Sequence, residues 1–280
     1  MSPKASDIQW SRNTSMLLKS DPGLGKTIAA LSAAIYGEVY LAYFDKNIPI
    51  EALTFFKKYR PDLLERITYD CFGSHNANDY LNKLIEFQTD CRYAAVISDG
   101  ATFMTASAMN WSLGFNSKDP RAGAKVGPDP EDIMPDWDEY KVLTSYVTRA
   151  LDLTRNLKTL NIWTAHPLAQ IKVEGSGSKV DKITKTSSLV SAGSKIGSMI
   201  PGAFNEIYHI GKQAGVRKVW TDMVGEDFAR TSLPLPKSFN IPEGGLFFEV
   251  WEDLVRKGFN DGGFNEVKPT DSSGSSKWKA

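Results

Sequence analysis

Hydrophobic residues in the first hundred positions form short continuous runs, separated by stretches in which they recur at helical spacing. The continuous runs predict strands at residues 16–18, 38–44, 67–72 and 93–99. The stretches between them predict helices at residues 28–35, 50–59 and 80–87, the last of them capped by Asn78 or Asp79. Strands that are apolar throughout belong to a parallel sheet covered on both faces, so this half of the chain indicates an α/β fold.

Two long polar segments interrupt this alternation in the second half of the chain. Residues 111–135 and 167–201 are rich in Gly, Ser and Lys or Pro and predict irregular loops. The remaining pattern predicts a helix at 136–157, a strand at 160–166, an antiparallel edge hairpin at 204–211 and 216–221, and a closing helix at 247–255. The predicted fold is α/β, with a mostly parallel central sheet flanked by helices. We expect an N-terminal arm (1–14), one core (15–257) and a flexible tail (258–280).

The composition bears on which partners the protein could bind and on its cellular compartment. Lys and Arg together number 33, as do Asp and Glu, so any nucleic-acid surface has to be local. Cys71 and Cys91 are the only cysteines, too few for a disulfide framework or a zinc site. The sequence shows neither a basic-then-apolar leader nor a run near the ~20 apolar residues of a membrane span. We therefore expect a soluble, cytoplasmic protein without a membrane partner.

The Gly-rich segment at residues 20–27 follows a predicted strand and precedes a predicted helix. Gly23 and Gly25 allow the backbone to approach a phosphate, Lys26 has the reach and charge to bind the β- and γ-phosphates, and the Thr27 hydroxyl suits Mg²⁺. The pattern departs from the phosphate-loop motif at its first glycine, where this chain has Ser20. The segment predicts an ATP and Mg²⁺ site, and the alternative is a plain strand-to-helix turn. The predicted nucleotide contacts are Asp21, Pro22, Gly23, Leu24, Gly25, Lys26, Thr27 and Ile28.

Asp99 ends the predicted strand at residues 93–99. Ligands of open α/β sheets bind at the carboxyl ends of strands, so this carboxylate is predicted to emerge beside the phosphate loop and to hold Mg²⁺ through water. The alternative is an aspartate that only caps the following turn.

The second predicted loop carries an excess of positive charge, and Arg121 and Lys125 give the first some positive charge. Basic loops can track a phosphate backbone through charge, and this pattern favours single-stranded DNA as a partner. A solvated surface loop is the alternative. The candidate DNA-binding residues are Arg121 and Lys125 in the first loop, and Lys172, Lys179, Lys182, Lys185 and Lys195 in the second.

These motifs together resemble the RecA-like recombinase core, and more closely the phage-encoded RecA-core ATPases of single-strand DNA annealing and recombination. The resemblance covers most of residues 15–235. It rests on the phosphate loop, on the strand ends at Asp45 and Asp99, and on Thr164-Ala-His166 before a basic loop.

The resemblance implies a RecA-like P-loop ATPase that forms a ring or filament, with ATP bound at the subunit interface. It also implies that residues 112–135 and 167–200 are DNA-binding loops, that a single-strand-binding or replication protein is a partner, and that the host bacterial cytoplasm is the setting. His166 takes the place of the γ-phosphate sensor; its alternative is a strand-end histidine satisfied by its surroundings.

Catalysis is the part of the resemblance that fits least well. Where the family has a glutamate that polarises water, this chain has Asn47, and an amide cannot accept the proton. Either Asp45 or Glu51 takes that task, or hydrolysis is slow. The family's basic residue from the neighbouring subunit corresponds to Arg230, with Lys218 as second choice; the alternative is an ordinary surface charge.

Two rival functions share the predicted fold. One is an ATPase that loads or remodels a protein partner, as helicase loaders do. The other is a nucleotide-binding module with little turnover, which the presence of Asn47 favours. Phosphate release with and without single-stranded DNA distinguishes all three functions.

Overall fold

The computed structural model describes residues 14–45, 49–113, 125–126, 133–134, 137–174, 182–192, 194–223 and 229–260. Its strands are β1 (Ser15–Lys19), β2 (Val39–Tyr43), β3 (Ile67–Cys71), β4 (Ala95–Asp99), β5 (Lys125–Val126), β6 (Ile133–Met134), β7 (Leu160–Ala165), β8 (Pro167–Glu174), β9 (Lys182–Leu189), β10 (Glu206–Gln213), β11 (Val216–Trp220) and β12 (Ser238–Ile241). Its α-helices are α1 (Lys26–Leu31), α2 (Ile50–Tyr59), α3 (Pro61–Leu64), α4 (Ala77–Thr89), α5 (Ala101–Ser112), α6 (Trp137–Arg155), α7 (Ser194–Met199) and α8 (Phe247–Asn260). Two 3₁₀ segments, Ser32–Tyr36 and Ile200–Ala203, extend α1 and α7.

The central sheet has eight strands in the order β12-β11-β10-β1-β7-β4-β2-β3. The six strands from β10 to β3 run parallel, whereas β11 and β12 are added antiparallel to their neighbours at one edge. Long crossovers connect most of the parallel strands, as parallel pairing requires. This order, with helices on both faces, confirms the predicted α/β fold with a mostly parallel central sheet.

Alternate residues of the sheet enter two separate cores, which is why its strands read as continuous apolar runs. In β1, Leu17 belongs to a core that includes α4, α5 and α6, whereas Met16 and Leu18 belong to a core that includes α1, α2 and α8. Burial on both faces is the arrangement that a parallel sheet requires. Both faces of the sheet are thus packed, and the carboxyl ends of its parallel strands are where a site can form.

Most elements predicted from the pattern are confirmed, but α5, β12 and the short elements α3, β5 and β6 were missed. Helix α5 was missed because its small and apolar residues give no clear apolar stripe: Met104 and Ala108 are buried, yet so are Thr105 and Ser112. Strand β12 was missed because it is four residues long, so the predicted edge hairpin is in fact a three-stranded antiparallel edge. The N-cap of α4 is Asn76, not Asn78 or Asp79.

The prediction of an irregular segment at residues 167–201 was wrong. Strands β8 and β9 pair antiparallel over eight residues each, and α7 follows. The alternation of residues such as Ile171 and Val173 with polar ones, and the β-branched residues of β9, suit paired strands. The high content of Gly, Ser and Lys in residues 174–182 concealed this pattern.

Several predictions fall on residues outside the described part of the chain. These include residues 1–13 of the arm, Asn47, Arg121, Lys179, residues 261–280 of the tail and most of residues 114–136. Helix α8 continues through Asn260, beyond the expected start of the tail at 258. Among the described helices, none combines the length and apolar character that crossing a membrane requires.

Candidate nucleotide-binding site

The site lies at the carboxyl ends of three adjacent parallel strands. The phosphate loop follows β1, Asp99 is the last residue of β4, and His166 follows β7. Strand β7 lies between β1 and β4, with Lys19 paired to Ala165 and Ser98 paired to Trp163. The side chains of the phosphate loop, Asp99 and His166 are distant in sequence but meet at the carboxyl ends of these strands, as the sequence predicts.

The loop has the backbone conformation that its glycines predict. Gly23 and Gly25 have φ angles of 75° and 88°, which side-chain-bearing residues adopt only with strain. Ser20 stands at the first glycine position of the motif without a positive φ, and it is fully buried. Its hydroxyl donates to the Asp21 carbonyl at 2.9 Å and accepts from Lys26 at 3.2 Å, so the departure from the motif keeps the turn and adds a contact.

Lys26 is folded back onto the loop. Its Nζ donates to the Ser20 carbonyl at 2.9 Å and to the Asp21 carbonyl at 3.2 Å. Burial lowers the pKa of Lys26 to about 8, against the opposing influence of the Asp99 and Asp21 carboxylates. The ammonium is therefore desolvated and held at the centre of the loop, where an anion would be bound strongly.

Thr27, Asp99 and Thr164 form a cluster of oxygen atoms beside Lys26. The Thr27 hydroxyl donates to Asp99 Oδ2 at 2.7 Å, and the Thr164 hydroxyl donates to Asp99 Oδ1. Thr164 Oγ1 also accepts from the Gly100 N–H at 2.9 Å, which fixes the carboxylate at the end of β4. Burial raises the pKa of Asp99, while the two hydroxyls and Lys26 counteract that rise.

This cluster fits Mg²⁺ better than a metal held by protein ligands alone. The hydroxyl and carboxylate oxygens of Thr27 and Asp99 are ligands that Mg²⁺ prefers, and phosphates and waters usually complete its shell. Within the described residues there is no group of three or more His, Cys, Asp or Glu side chains placed to hold a metal ion. A phosphate-dependent metal site is therefore the one that these residues suit.

His166 contacts the phosphate loop directly. Its Nδ1 lies 3.2 Å from Lys26 Nζ and 3.1 Å from the Ser20 carbonyl oxygen. Burial lowers the pKa of His166, and the Lys26 charge lowers it further, so the neutral imidazole is favoured. Its backbone carbonyl accepts from the Val190 N–H at 2.9 Å, which joins this histidine to the end of the β8–β9 hairpin.

Of the two carboxylates considered for water activation, Asp45 lies at the same end of the sheet and Glu51 in the helix that follows it. Asp45 follows β2, the neighbour of β4, and Glu51 is an exposed residue in the first turn of α2. The pKa of Tyr43 is raised first by burial, and then by the charges of Asp45, Asp99 and Glu51. The Tyr43 hydroxyl is thus within electrostatic range of all three carboxylates, whose direct roles stay predictions.

A cleft of about 540 Å³ adjoins the phosphate loop on the side away from His166. Its lining residues come from the loop, from α2, from β10 and β11 with their turn, and from the end of β12 and the residues after it. They are Gly23, Leu24, Phe55, Tyr59, Gly211, Lys212, Gly215, Val216, Arg217, Ile241, Pro242, Glu243 and Gly244. The loop and the cleft form one continuous concave surface.

The remaining predicted residues lie away from this cluster. Arg230 is bridged to Ile207 near the start of β10, and its guanidinium donates to the carbonyls of Pro201 and Phe204. It therefore lies near the amino end of β10, away from the phosphate loop of its own chain. A role in a neighbouring subunit's site stays a prediction.

The described candidate DNA-binding lysines are distributed over three elements. Lys172, Lys182 and Lys185 belong to the β8–β9 hairpin, where Lys182 pairs with Glu174 and Lys185 with Ile171. Lys125 is in the short strand β5, and Lys195 is an exposed residue of α7. DNA binding by these residues stays a prediction.

Sequence reasoning did not give site roles to Ser20, Thr164 and Arg217. Ser20 was read only as a departure from the motif, although a hydroxyl at that position can bind the loop lysine. Thr164 was noted for its place at the strand end, and its position two residues before His166 was the available signal. Arg217 had no local signal, because its approach to Gly25 depends on how β11 is added to the sheet.

Comparisons with known proteins add only limited similarity. No protein-family model matches the sequence, and no curated protein matches it. Among solved structures, the chain is similar to the RadB recombinase, with 15% sequence identity, coverage of 84% of this chain and 90% of that chain, and a TM-score of 0.45.

Proposed function

We propose that this protein binds ATP with Mg²⁺, hydrolyses it slowly or in response to DNA, and acts on single-stranded DNA as a homo-oligomer. The observation that carries the proposal is the convergence of Lys26, Thr27, Asp99 and His166 at one sheet edge around a phosphate loop. A plain strand-to-helix turn gives no reason for a buried lysine, a buried carboxylate and a histidine to meet there.

The chemistry required of these residues is positioning and charge stabilisation. Lys26 exchanges the carbonyls of Ser20 and Asp21 for phosphate oxygens, and Thr27 and Asp99 hold the metal. Mg²⁺, when bound, neutralises charge on the phosphates. Asp45 or Glu51 orients the attacking water, and His166 reports the γ-phosphate because it already touches Lys26.

The cleft beside the loop is suited to the nucleoside. Its volume of about 540 Å³ lies within the roughly 300–1,000 Å³ of small-molecule sites. The aromatic side chains of Phe55 and Tyr59 line it, and aromatic faces bind nucleobases by stacking. The triphosphate would then extend from this cleft along the loop towards Asp99.

The β8–β9 hairpin is the proposed route from the nucleotide to DNA. It begins at the residue after His166, and the Val190 N–H returns to the His166 carbonyl. A displacement of His166 on ATP binding would therefore be transmitted to a basic hairpin. DNA would then contact the hairpin differently with and without ATP, which is what coupling between two sites requires. Oligomerisation with Arg230 as a trans residue completes the proposal.

Phosphate release measured with and without single-stranded DNA tests the function. We expect ATP hydrolysis that requires Mg²⁺ and increases several-fold on addition of single-stranded DNA. Turnover that DNA leaves unchanged and a protein partner stimulates would instead support the loader function. ATP binding without phosphate release under any of these conditions would support the regulatory module.

The lysines at positions 179, 182 and 185 provide a second test. Replacing Lys179, Lys182 and Lys185 together by glutamine is expected to weaken binding to single-stranded DNA and to flatten its salt dependence. Each lost phosphate contact changes the slope of log K against log salt by about 0.7. Fluorescence anisotropy at several salt concentrations measures both effects.

The matched control replaces Lys57, Arg256 and Lys257, which are exposed on α2 and α8, by glutamine. These helices pack on one face of the sheet, whereas Leu189, the last residue of β9, belongs to the core on the other face. Equal losses in the two triple variants would show that only bulk charge matters, and unchanged binding in the hairpin variant would remove the hairpin from the DNA site.

A further inference from the structure

Two cations lie directly opposite each other on the antiparallel edge. Lys212 of β10 and Arg217 of β11 are register partners, and both line the cleft beside the phosphate loop. Directly opposed residues share one face of a sheet, where like charges destabilise the pairing. Such a pair calls for an anion that the two side chains can share.

Arg217 is half-buried without an acceptor in the described part of the chain. No hydrogen bond or ion pair there involves its guanidinium, and burial alone lowers its pKa. Glu243 lines the same cleft but is exposed and forms no ion pair with Arg217 among the described residues. A desolvated charge without a partner is costly, so a site that retains one is suited to a charged ligand.

The guanidinium lies against the phosphate loop itself. A Cβ atom added to Gly25 would come 3.3 Å from Arg217 Cζ. This places a planar, bidentate donor beside the loop whose lysine is Lys26, and guanidinium groups match phosphate oxygens in geometry.

The sheet order indicates which part of a nucleotide Arg217 would meet. Strand β1 is flanked by β7, which leads to His166, and by β10, which pairs with β11. Asp99 and Thr27 lie on the His166 side, where the metal and the γ-phosphate belong. Arg217 lies on the other side, next to the cleft, and would therefore face the inner phosphates of a bound nucleotide.

We propose that Arg217, with Lys212 opposite it, binds an inner phosphate of the nucleotide from within the same subunit. This inference rests on the proposed nucleotide-binding function and deepens it. Because ATP and ADP share their inner phosphates, Arg217 contributes equally to both, whereas a γ-phosphate sensor or a trans arginine would discriminate between them.

The test compares Arg217→Met with the wild type by titration of fluorescent ATP and ADP analogues and by thermal unfolding without nucleotide. We expect affinity for both nucleotides to fall about tenfold, as for loss of a charge-assisted phosphate contact. We expect the Tm of the ligand-free protein to stay the same or rise, since methionine removes a desolvated charge. Arg217→Lys should recover part of the affinity.

Arg92→Met is the matched control, because Arg92 is exposed, pairs with Glu38 at 3.3 Å, and precedes the amino end of β4, whereas the phosphate loop lies at the carboxyl ends of the strands. It should bind both nucleotides as the wild type does. Wild-type affinity in Arg217→Met overturns the inference, as does a loss confined to ATP, or a Tm several degrees lower without nucleotide. If the wild type binds neither nucleotide, the proposed function itself fails.

Discussion

Replacing Lys26 by methionine is expected to weaken ATP binding by about 100-fold or more. The Lys26 ammonium is buried among the carbonyls of Ser20 and Asp21, so it meets a phosphate in a desolvated environment. Truncating one partner of such a charged pair costs about 2–5 kcal/mol, because the other charge loses its partner. Titration with a fluorescent ATP analogue measures the loss.

Lys57→Met is the control for this change, since Lys57 is exposed on α2. Methionine at position 26 should not destabilise the ligand-free protein, because it relieves the burial of a charge. ATP affinity within twofold of the wild type in Lys26→Met would contradict the assignment of the phosphate loop.

The same lysine gives the site a pH dependence of definite sign. Its pKa of about 8 in the ligand-free protein would rise when a phosphate binds, so ATP affinity falls as pH rises above about 8, by up to about tenfold per pH unit. Between pH 8 and 10.5 the unfolded lysine keeps a proton that the folded one has lost. In this window its contribution to the free energy of unfolding therefore increases with pH. Differences between wild type and Lys26→Met isolate both effects.

Replacing Asp99 by asparagine is expected to reduce Mg²⁺-dependent phosphate release by about 100-fold while weakening ATP binding far less. An amide can still bond to the hydroxyls of Thr27 and Thr164, so the strand end keeps its geometry. It carries no negative charge to hold Mg²⁺, however, and positioning of the metal supports catalysis by several kcal/mol. Phosphate release over a range of Mg²⁺ concentrations measures the effect.

Asp70→Asn is the matched control. The Asp70 carboxylate also accepts a hydrogen bond from a hydroxyl, that of Tyr40, at 2.7 Å. It lies in the edge strand β3, however, and not at the candidate site. Its replacement should leave phosphate release unchanged. Wild-type turnover by Asp99→Asn at every Mg²⁺ concentration would exclude the metal role of Asp99.

The parallel strands could be predicted from sequence because burial on both faces leaves an uninterrupted apolar run, as in Met16, Leu17 and Leu18. The β8–β9 hairpin could not, because outside the central sheet nothing forces its residues to be continuously apolar. Helix α5 was not predicted for a related reason. The hydroxyls of Thr105 and Ser112 donate to backbone carbonyls within their own helix, so these polar residues can be buried and the buried face is not uniformly apolar.

The site residues that could be predicted are those with a local signal in the sequence. Lys26 and Thr27 are adjacent in a motif, and Asp99 and His166 end predicted strands, so sheet topology brings them together. Arg217 contacts the loop only because β10 pairs with β1 and β11 pairs with β10. Two successive strand pairings across nearly two hundred residues leave no signature in either local sequence.

The β8–β9 hairpin is long enough to act as a lever that pivots beside His166, in the proposed nucleotide site. Each strand has eight residues, so at about 3.3 Å per residue the hairpin is roughly 25 Å long. Pro167 pairs with Leu189 at its base, so the two strands are joined to each other where they leave His166. A rotation of about 10° beside His166 would therefore move the far end by roughly 4 Å, comparable to the spacing between neighbouring strands.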